Sequence, residues 1–428
     1  MAKLNGVLVL DARGAWQPKD VTIADHEILS VEPPSDPSPS SLHATLSLDL
    51  RGCKLLPGII DPHTHLRAPG QTRKEGVDRG TKAAVAGGVT TILDMPNNRP
   101  PTSTPARLLQ KRSIFERLSR CNFGLFAHAT RRGPTCDSTR IAGAKIYMAK
   151  SSPLEAIRDV DALTHVLSSY SRVAVHAEDD SCFVEGPTHL ERRPREAVTQ
   201  ALHNLEAALA RVKHPPRLVL CHATTVEELE WLRKMKARTD VLGETCPHYL
   251  LFTNRDVERV GPRMQVNPPI RLQRDREALL AALQDGTLDF VASDHAPHLL
   301  SEKAGPKPPS GIAGIEWMYP LVGHFVDRGV ISWARAVELF SANAARCYGI
   351  EGRAEVKEGR VADLTLLCPA HRARPRREPI TGAGWTPYDQ HEPKDLKLQH
   401  AVLATFVAGQ LAYHDGDWYE VTGKDLYS

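Results

Sequence analysis

GIIDPHTHLRAPG, residues 58–70, decides how the rest of this chain is read. An apolar run enters it, and His63 and His65 follow two residues apart. Side chains at i and i+2 of a strand point to one face. Two imidazoles on one face suit a single metal ion, for which zinc is the commonest choice. A pair of satisfied core histidines would look the same in isolation, so the surroundings have to decide. An open doubly wound sheet would carry a Gly-rich phosphate turn after its first strand. Histidines occupy that place here.

Outward from this stretch, residues 55–349 alternate short apolar runs with helical ones. The runs are VTTILDM (89–95), FGLFAHA (123–129), AKIYMA (144–149), RVAVHAE (172–178), RLVLCHA (217–223), LGETC (242–246) and DFVASDH (289–295). Between them lie TKAAVAGG (81–88), PLEAIRDVDALTHVLSSY (153–170) and VEELEWLRKMKAR (226–238), each with helical spacing. Repeated strand–helix units imply a parallel sheet. About eight units over about 290 residues predict an α/β fold, a (β/α)8 TIM-type barrel. Residues 1–54 and 350–428 are β-rich, with GVLVLDA (6–12), EILSVE (27–32), VADLTLL (361–367) and HAVLATFVAGQLAYHDG (400–416). They are expected to form one small β-sandwich domain from both ends of the chain. The Pro/Ser-rich PPSDPSPSSLH (33–43) reads as a solvent loop.

Composition narrows the classes. Of 428 residues, 41% are hydrophobic and 25% charged, with a formal net charge of +3. No basic stripe with interleaved aromatics marks a nucleic-acid surface. No apolar run approaches the roughly 18 residues of a membrane span. MAKLNGVLVLDARG lacks a signal-peptide core, and the eight cysteines form no CxxC pair. Both point to reduced thiols in a cytoplasmic enzyme.

Strand ends carry the chemistry. His63 and His65 end the first strand, Lys145 lies in the fourth, His176 ends the fifth, His222 the sixth and Asp294 the eighth. In a barrel these ends converge on one mouth. His176 and His222 suit a second metal. Asp294 can hold a metal and accept a proton, or serve as a helix N-cap. Lys145 sits in an apolar run, where a free ammonium is costly unless it pairs with an acid. A neutral lysine amine combines with CO2 to give a carbamate, a carboxylate able to bridge two metals.

With DMPNNRPP (94–101), GAKIYMAKSS (143–152), VAVHAED (173–179), LVLCHATT (218–225), VNPPIR (266–271), ASDHAPH (292–298), GRVADLTLL (359–367) and GWTPYD (384–389), the chain resembles the amidohydrolase superfamily in its cyclic-amidohydrolase branch, and within it the dihydroorotases. The resemblance implies two Zn2+ ions bridged by N6-carboxylated Lys145 and by a hydroxide that acts as nucleophile. His63, His65 and Asp294 would hold one ion, His176 and His222 the other. Asp294 would carry the proton between that oxygen and the ring nitrogen. Arg67, Asn97, Asn267 and His298 would bind the substrate, N-carbamoyl-L-aspartate or L-dihydroorotate, in pyrimidine (UMP) biosynthesis. A guanidinium grips a ring carboxylate with two parallel hydrogen bonds, so Arg67 is the substrate-selecting residue of this set. The family's habit implies a homodimer and, in some members, association with aspartate transcarbamoylase.

GVTTILDMP and ETCPHYLLFT also resemble allantoinases and the dihydropyrimidinase/hydantoinase group, and both alternatives stay open. A third is a non-catalytic scaffold homologue, which would be expected to have lost metal ligands. MAKSSPLE (148–155) is expected to form a loop over the pocket.

Overall fold

The computed structural model describes the chain apart from residues 36–37, 44–45, 134–135, 151–153, 375–377 and 389–395. The tip of the MAKSSPLE loop and Asp389 of GWTPYD therefore lie outside the described residues.

Eight strands run in chain order around a parallel barrel: β1 Ile59–Thr64, β2 Val89–Asp94, β3 Asn122–His128, β4 Gly143–Tyr147, β5 Arg172–His176, β6 Arg217–Leu220, β7 Val241–Thr245 and β8 Phe290–Val291. Alternation along each strand divides its side chains between two cores. Ile60, Leu93, Phe126, Ala174, Val219 and Phe290 fill the barrel interior. Their neighbours Ile59, Ile92, Leu125, Val173, Leu218 and Val291 join the larger core with the surrounding helices. Both faces are buried, as a parallel sheet requires.

β8 is only two residues long, and other groups complete the seam. Ser293 N–H donates to Asp61 Oδ1 at 3.0 Å, and His65 N–H to the His295 carbonyl at 2.8 Å. The first and last strands are thus tied at the level of the residues they present.

Helices α1 Val77–Ala86, α2 Val160–Leu167 and α3 Val226–Lys236 lie where the sequence places helices. α3 starts in a capping box between Thr225 and Glu228. α2 is shorter than the expected 153–170. Ile157 N–H donates to the Tyr147 carbonyl at 2.9 Å, and Arg131 Nη2 to the Ala156 carbonyl at 3.2 Å. These bonds hold residues 156–157 against the end of β4, and Asp159 caps a helix that begins only after them.

Both ends of the chain meet in a ten-stranded mixed sheet. Asp417–Trp418, Gln410–His414, His400–Val407, Leu364–Pro369, Lys54–Pro57, Ala2–Leu10, Trp16–Ala24 and Glu27–Glu32 lie side by side in that order. It has a core of its own, with Leu4, Val21, Ile28, Leu55, Leu366 and Phe406 in one cluster. Edge strand Glu27–Glu32 returns to the far half of the sheet, where Ile28 N–H donates to the Arg360 carbonyl at 2.9 Å. Part of the expected solvent loop is ordered differently: Ser40–His43 is a strand pairing with Leu46–Leu48. The buried Ser40 hydroxyl, which accepts from Asn5 N–H at 2.7 Å, draws it onto the sheet.

Two later segments cross to the barrel. Near the mouth, Trp385 Nε1 donates to the His298 carbonyl at 2.7 Å. At the opposite end, Phe123 N–H donates to the Lys424 carbonyl and Leu426 N–H to the Phe123 carbonyl, both at 2.9 Å. Asp425 pairs with Arg112, and Leu426 and Tyr427 pack on the interior core. Residues 423–427 therefore floor the barrel beneath β3. Division of the chain into two domains at residues 55 and 349 is a proposal, supported by the separate core of the sheet. Among the described residues, no helix is long and apolar enough to cross a membrane.

Candidate functional site

At the C-terminal ends of the strands lies a cavity of about 360 Å3, lined by His63, His65, Lys145, His176, His222 and Asp294 among others. His63 and His65 point the same way, as their spacing requires. Their Nε2 atoms lie 3.6 and 3.1 Å from Asp294 Oδ1. Across the mouth, His176 Nδ1 lies 3.1 Å from His222 Nε2. The structure thus brings together every residue expected at the metals.

Arg67 reaches the cavity by a route that strand alternation does not give. β1 ends at Thr64, and Arg67 takes a left-handed conformation at φ 60°. His222 and Asp294 do the same, at φ 39° and 43°. Such turns cost about 1–2 kcal/mol each for non-glycine residues and swing the side chains from the strand ends into the mouth.

Three of the four cavity histidines have one ring nitrogen hydrogen-bonded to an oxygen of a neighbouring side chain. His63 Nδ1 donates to Glu244 Oε1 at 2.7 Å, and His65 Nδ1 to Asn97 Oδ1 at 2.6 Å. His176 is turned the other way, its Nε2 donating to Glu178 Oε2 at 3.0 Å. Each bond fixes a tautomer and leaves the opposite nitrogen with its lone pair facing the cavity. Burial keeps the rings neutral, pushing His63 down to about 3 and His65 down to about 4. Glu244, fully buried, is pushed up to about 8.

These donors fit metal ions. His63, His65 and Asp294 offer three ligand atoms within 4.8 Å of one another. Two nitrogens on one tetrahedral zinc stand about 3.3 Å apart, close to the 3.1 Å between His176 and His222. Lys145 is fully buried and lines the same cavity. Its Nζ lies 2.9 Å from Cys221 Sγ, and among the described residues it forms no ion pair with a carboxylate. A buried cation without an acid beside metal-type ligands is the situation that carboxylation would relieve.

The expected substrate residues separate. Arg67 Nε donates to the Pro297 carbonyl at 3.2 Å and its Nη2 lies 3.0 Å from His298 Nε2, so these two form one corner. Asn97 borders the cavity, but its oxygen is committed to His65. Asn267 also lines the cavity, with Oδ1 3.0 Å from His189 Nε2.

Glu178 and Glu244 were not singled out from sequence. The only signal was an acid at or just past the end of an apolar strand, in VHAE and LGET. Glu178 also takes two bonds from Arg193, the shorter 2.6 Å, with Arg271 Nη2 at 3.7 Å. Glu178→Gln is expected to weaken metal binding about 10-fold or more, because it loosens His176. A competitive chelator titration reads this, and unchanged affinity would remove Glu178 from that role.

Comparison with known proteins agrees with this geometry. The Amidohydrolase family matches residues 55–412. A protein named dihydroorotase from Thermus aquaticus is 34% identical over 423 residues, covering 90% of this chain and 96% of that one. One of the same name from Methanosarcina mazei is 33% identical over 378 residues, covering 80% and 81%. Among solved structures, the dihydropyrimidinase from Brevibacillus agri superimposes with a TM-score of 0.84 at 24% identity, over 99% of this chain and 98% of that one. At that identity the likeness concerns the fold.

Proposed function

We propose, from the premise that this chain belongs to the amidohydrolase family and is a hydrolase acting on cyclic amides, that it carries out the dihydroorotase reaction. In that reaction N-carbamoyl-L-aspartate closes to L-dihydroorotate and reopens. The observation that carries the substrate is the charge of the cavity. Arg67, Lys74, Arg99, Lys150 and Arg193 line it beside the metal-type donors, among which Asp294 is the acidic side chain. Hydantoins and dihydropyrimidines are neutral rings, whereas dihydroorotate bears a carboxylate and its open form bears two. A site of this charge favours the anion.

His63, His65, Asp294, His176, His222 and carboxylated Lys145 are the residues that would hold two zinc ions. When bound, such ions bring the pKa of water toward neutrality and polarise a carbonyl oxygen. The chain's own groups do the rest. Glu244, Asn97 and Glu178 keep the imidazoles oriented. Asp294 Oδ1, 3.1 Å from His65 Nε2, is placed to take a proton from the attacking oxygen and to pass it to the leaving ring nitrogen. Arg67 and His298 hold the ring carboxylate, and Asn267 lines the same cavity. A cytoplasmic enzyme of pyrimidine biosynthesis is the setting this reading fits; a homodimer and an association with aspartate transcarbamoylase are part of the proposal as family habits.

The test is a substrate panel with zinc-loaded protein: L-dihydroorotate, allantoin and dihydrouracil, with cyclisation of carbamoyl-aspartate at mildly acidic pH. Preference for dihydroorotate, reversible, is expected. Turnover of a carboxylate-free ring alone would overturn the substrate, and inactivity despite two bound metals would favour a scaffold. In the same assay Arg67→Met is expected to raise the KM for dihydroorotate at least about tenfold, as loss of hydrogen bonds to a charged group does. An unchanged KM would take Arg67 out of the pocket.

A further inference from the structure

The corner that holds Arg67 contains a contact that the protein alone does not satisfy. His298 lies between two cations: Arg67 Nη2 is 3.0 Å from its Nε2, and Lys74 Nζ is 2.9 Å from its Nδ1. A neutral imidazole has one N–H and one lone pair, while guanidinium and ammonium groups only donate. One of the two contacts therefore sets donor against donor. Protonating the ring would make both contacts repulsive, and burial together with Arg67, Lys74 and Lys303 keeps it neutral.

The Ser310 carbonyl can accept from the ring, but one cation still faces the same N–H, and the neighbouring charged groups do not relieve this. Lys303 Nζ is surrounded by the carbonyls of Gln265 and Pro309 at 2.9 Å and Gly311 at 3.0 Å. It adds charge to the corner with its donors already used. Glu302 is the carboxylate within ion-pair distance, 3.2 Å from Lys74 Nζ and 3.6 Å from His298 Nδ1, but it is 31% exposed and works against solvent. An oxyanion placed between Lys74 and Arg67 would accept from both cations and from the imidazole N–H. It would convert the frustrated corner into a satisfied one.

We infer that Lys74 is a specificity-determining residue, whose ammonium leaves His298 to grip the substrate carboxylate from the side opposite Arg67. Lys74 borders the cavity with its side chain 18% exposed, and turning toward the substrate carboxylate exchanges its pair with Glu302 for the new one. The inference rests on the reading of the substrate as a carboxylate-bearing cyclic amide.

The test compares Lys74→Met and Lys74→Arg with the unaltered zinc-loaded enzyme. In K74M the KM for L-dihydroorotate is expected to rise about 10- to 100-fold, with a much smaller change in kcat. K74R is expected to restore much of the loss. Succinate serves as an anion probe independent of turnover, its Kd read by calorimetry and expected to weaken in parallel. If the unaltered protein does not turn over dihydroorotate, succinate still decides. Binding lost in K74M then upholds the anion corner and sinks only the substrate reading. Unchanged KM and unchanged succinate affinity in K74M overturn the role of Lys74.

Discussion

Replacing Asp294 by Asn is expected to lower kcat about 100- to 10,000-fold in both directions while leaving metal bound. That range is what a positioned acid–base group contributes. The amide is nearly the same size and keeps an oxygen for the position 3.1 Å from His65 Nε2. It has no carboxylate to receive a proton from the attacking oxygen. Both directions fall together because closure and opening share one path and therefore one proton carrier. Parallel measurement of kcat and of zinc by atomic emission checks this. A near-normal rate would end the role assigned to Asp294, and loss of zinc would show that the side chain is needed first as a ligand.

Lys111→Met is expected to cost about 3–5 kcal/mol of stability, the usual penalty for leaving a buried charge unpaired. Lys111 Nζ lies 2.6 Å from Asp94 Oδ2 and 2.7 Å from the Met95 carbonyl, with both side chains shielded from solvent. The other oxygen of Asp94 accepts from Leu66 N–H at 2.7 Å and from Thr64 Oγ1 at 3.2 Å. The pair thus joins the end of β1, between His65 and Arg67, to the loop that carries Asn97. Calorimetry is expected to show Tm lower by on the order of 3–6 °C. Because Leu66 is released next to Arg67, the KM should rise as well. Adding Asp94→Leu is expected to recover part of the stability but not the KM, since no group then holds Leu66. An unchanged Tm in K111M would show that the pair contributes nothing.

Much of this was legible in the sequence because barrel strands are short, apolar and closely spaced. A residue that breaks such a run at its end, such as His176 after RVAV, must face the mouth, and the structure brings those residues together. Lys145 was readable for the same reason, as a charge inside a run that buries everything else. What could not be read are partnerships between distant residues. Glu244 lies 181 residues from the His63 it orients. In one dimension it is an acid beside a turn, indistinguishable from a surface charge. Lys74 belongs to none of the motifs, and the His298 beside it lies 224 residues away. The shortened helix α2 has a similar origin: helical spacing over 153–170 was correct locally, but a backbone bond to Tyr147 competes for its first turn. The left-handed turn that carries Arg67 into the cavity is likewise invisible in the strand pattern.

The floor of the barrel has a consequence for how the chain is made. Lys424 seats beside Asn122 across 302 residues of sequence. At translation rates of roughly 5–20 residues per second, β3 leaves the ribosome roughly 15–60 s before the segment that covers its lower end. The strand sheet from both chain ends has the same dependence, since Lys54–Pro57 waits for Leu364–Pro369. The base beneath β3 therefore stays uncovered for roughly 15–60 s during synthesis. Its demand on chaperones should track elongation speed.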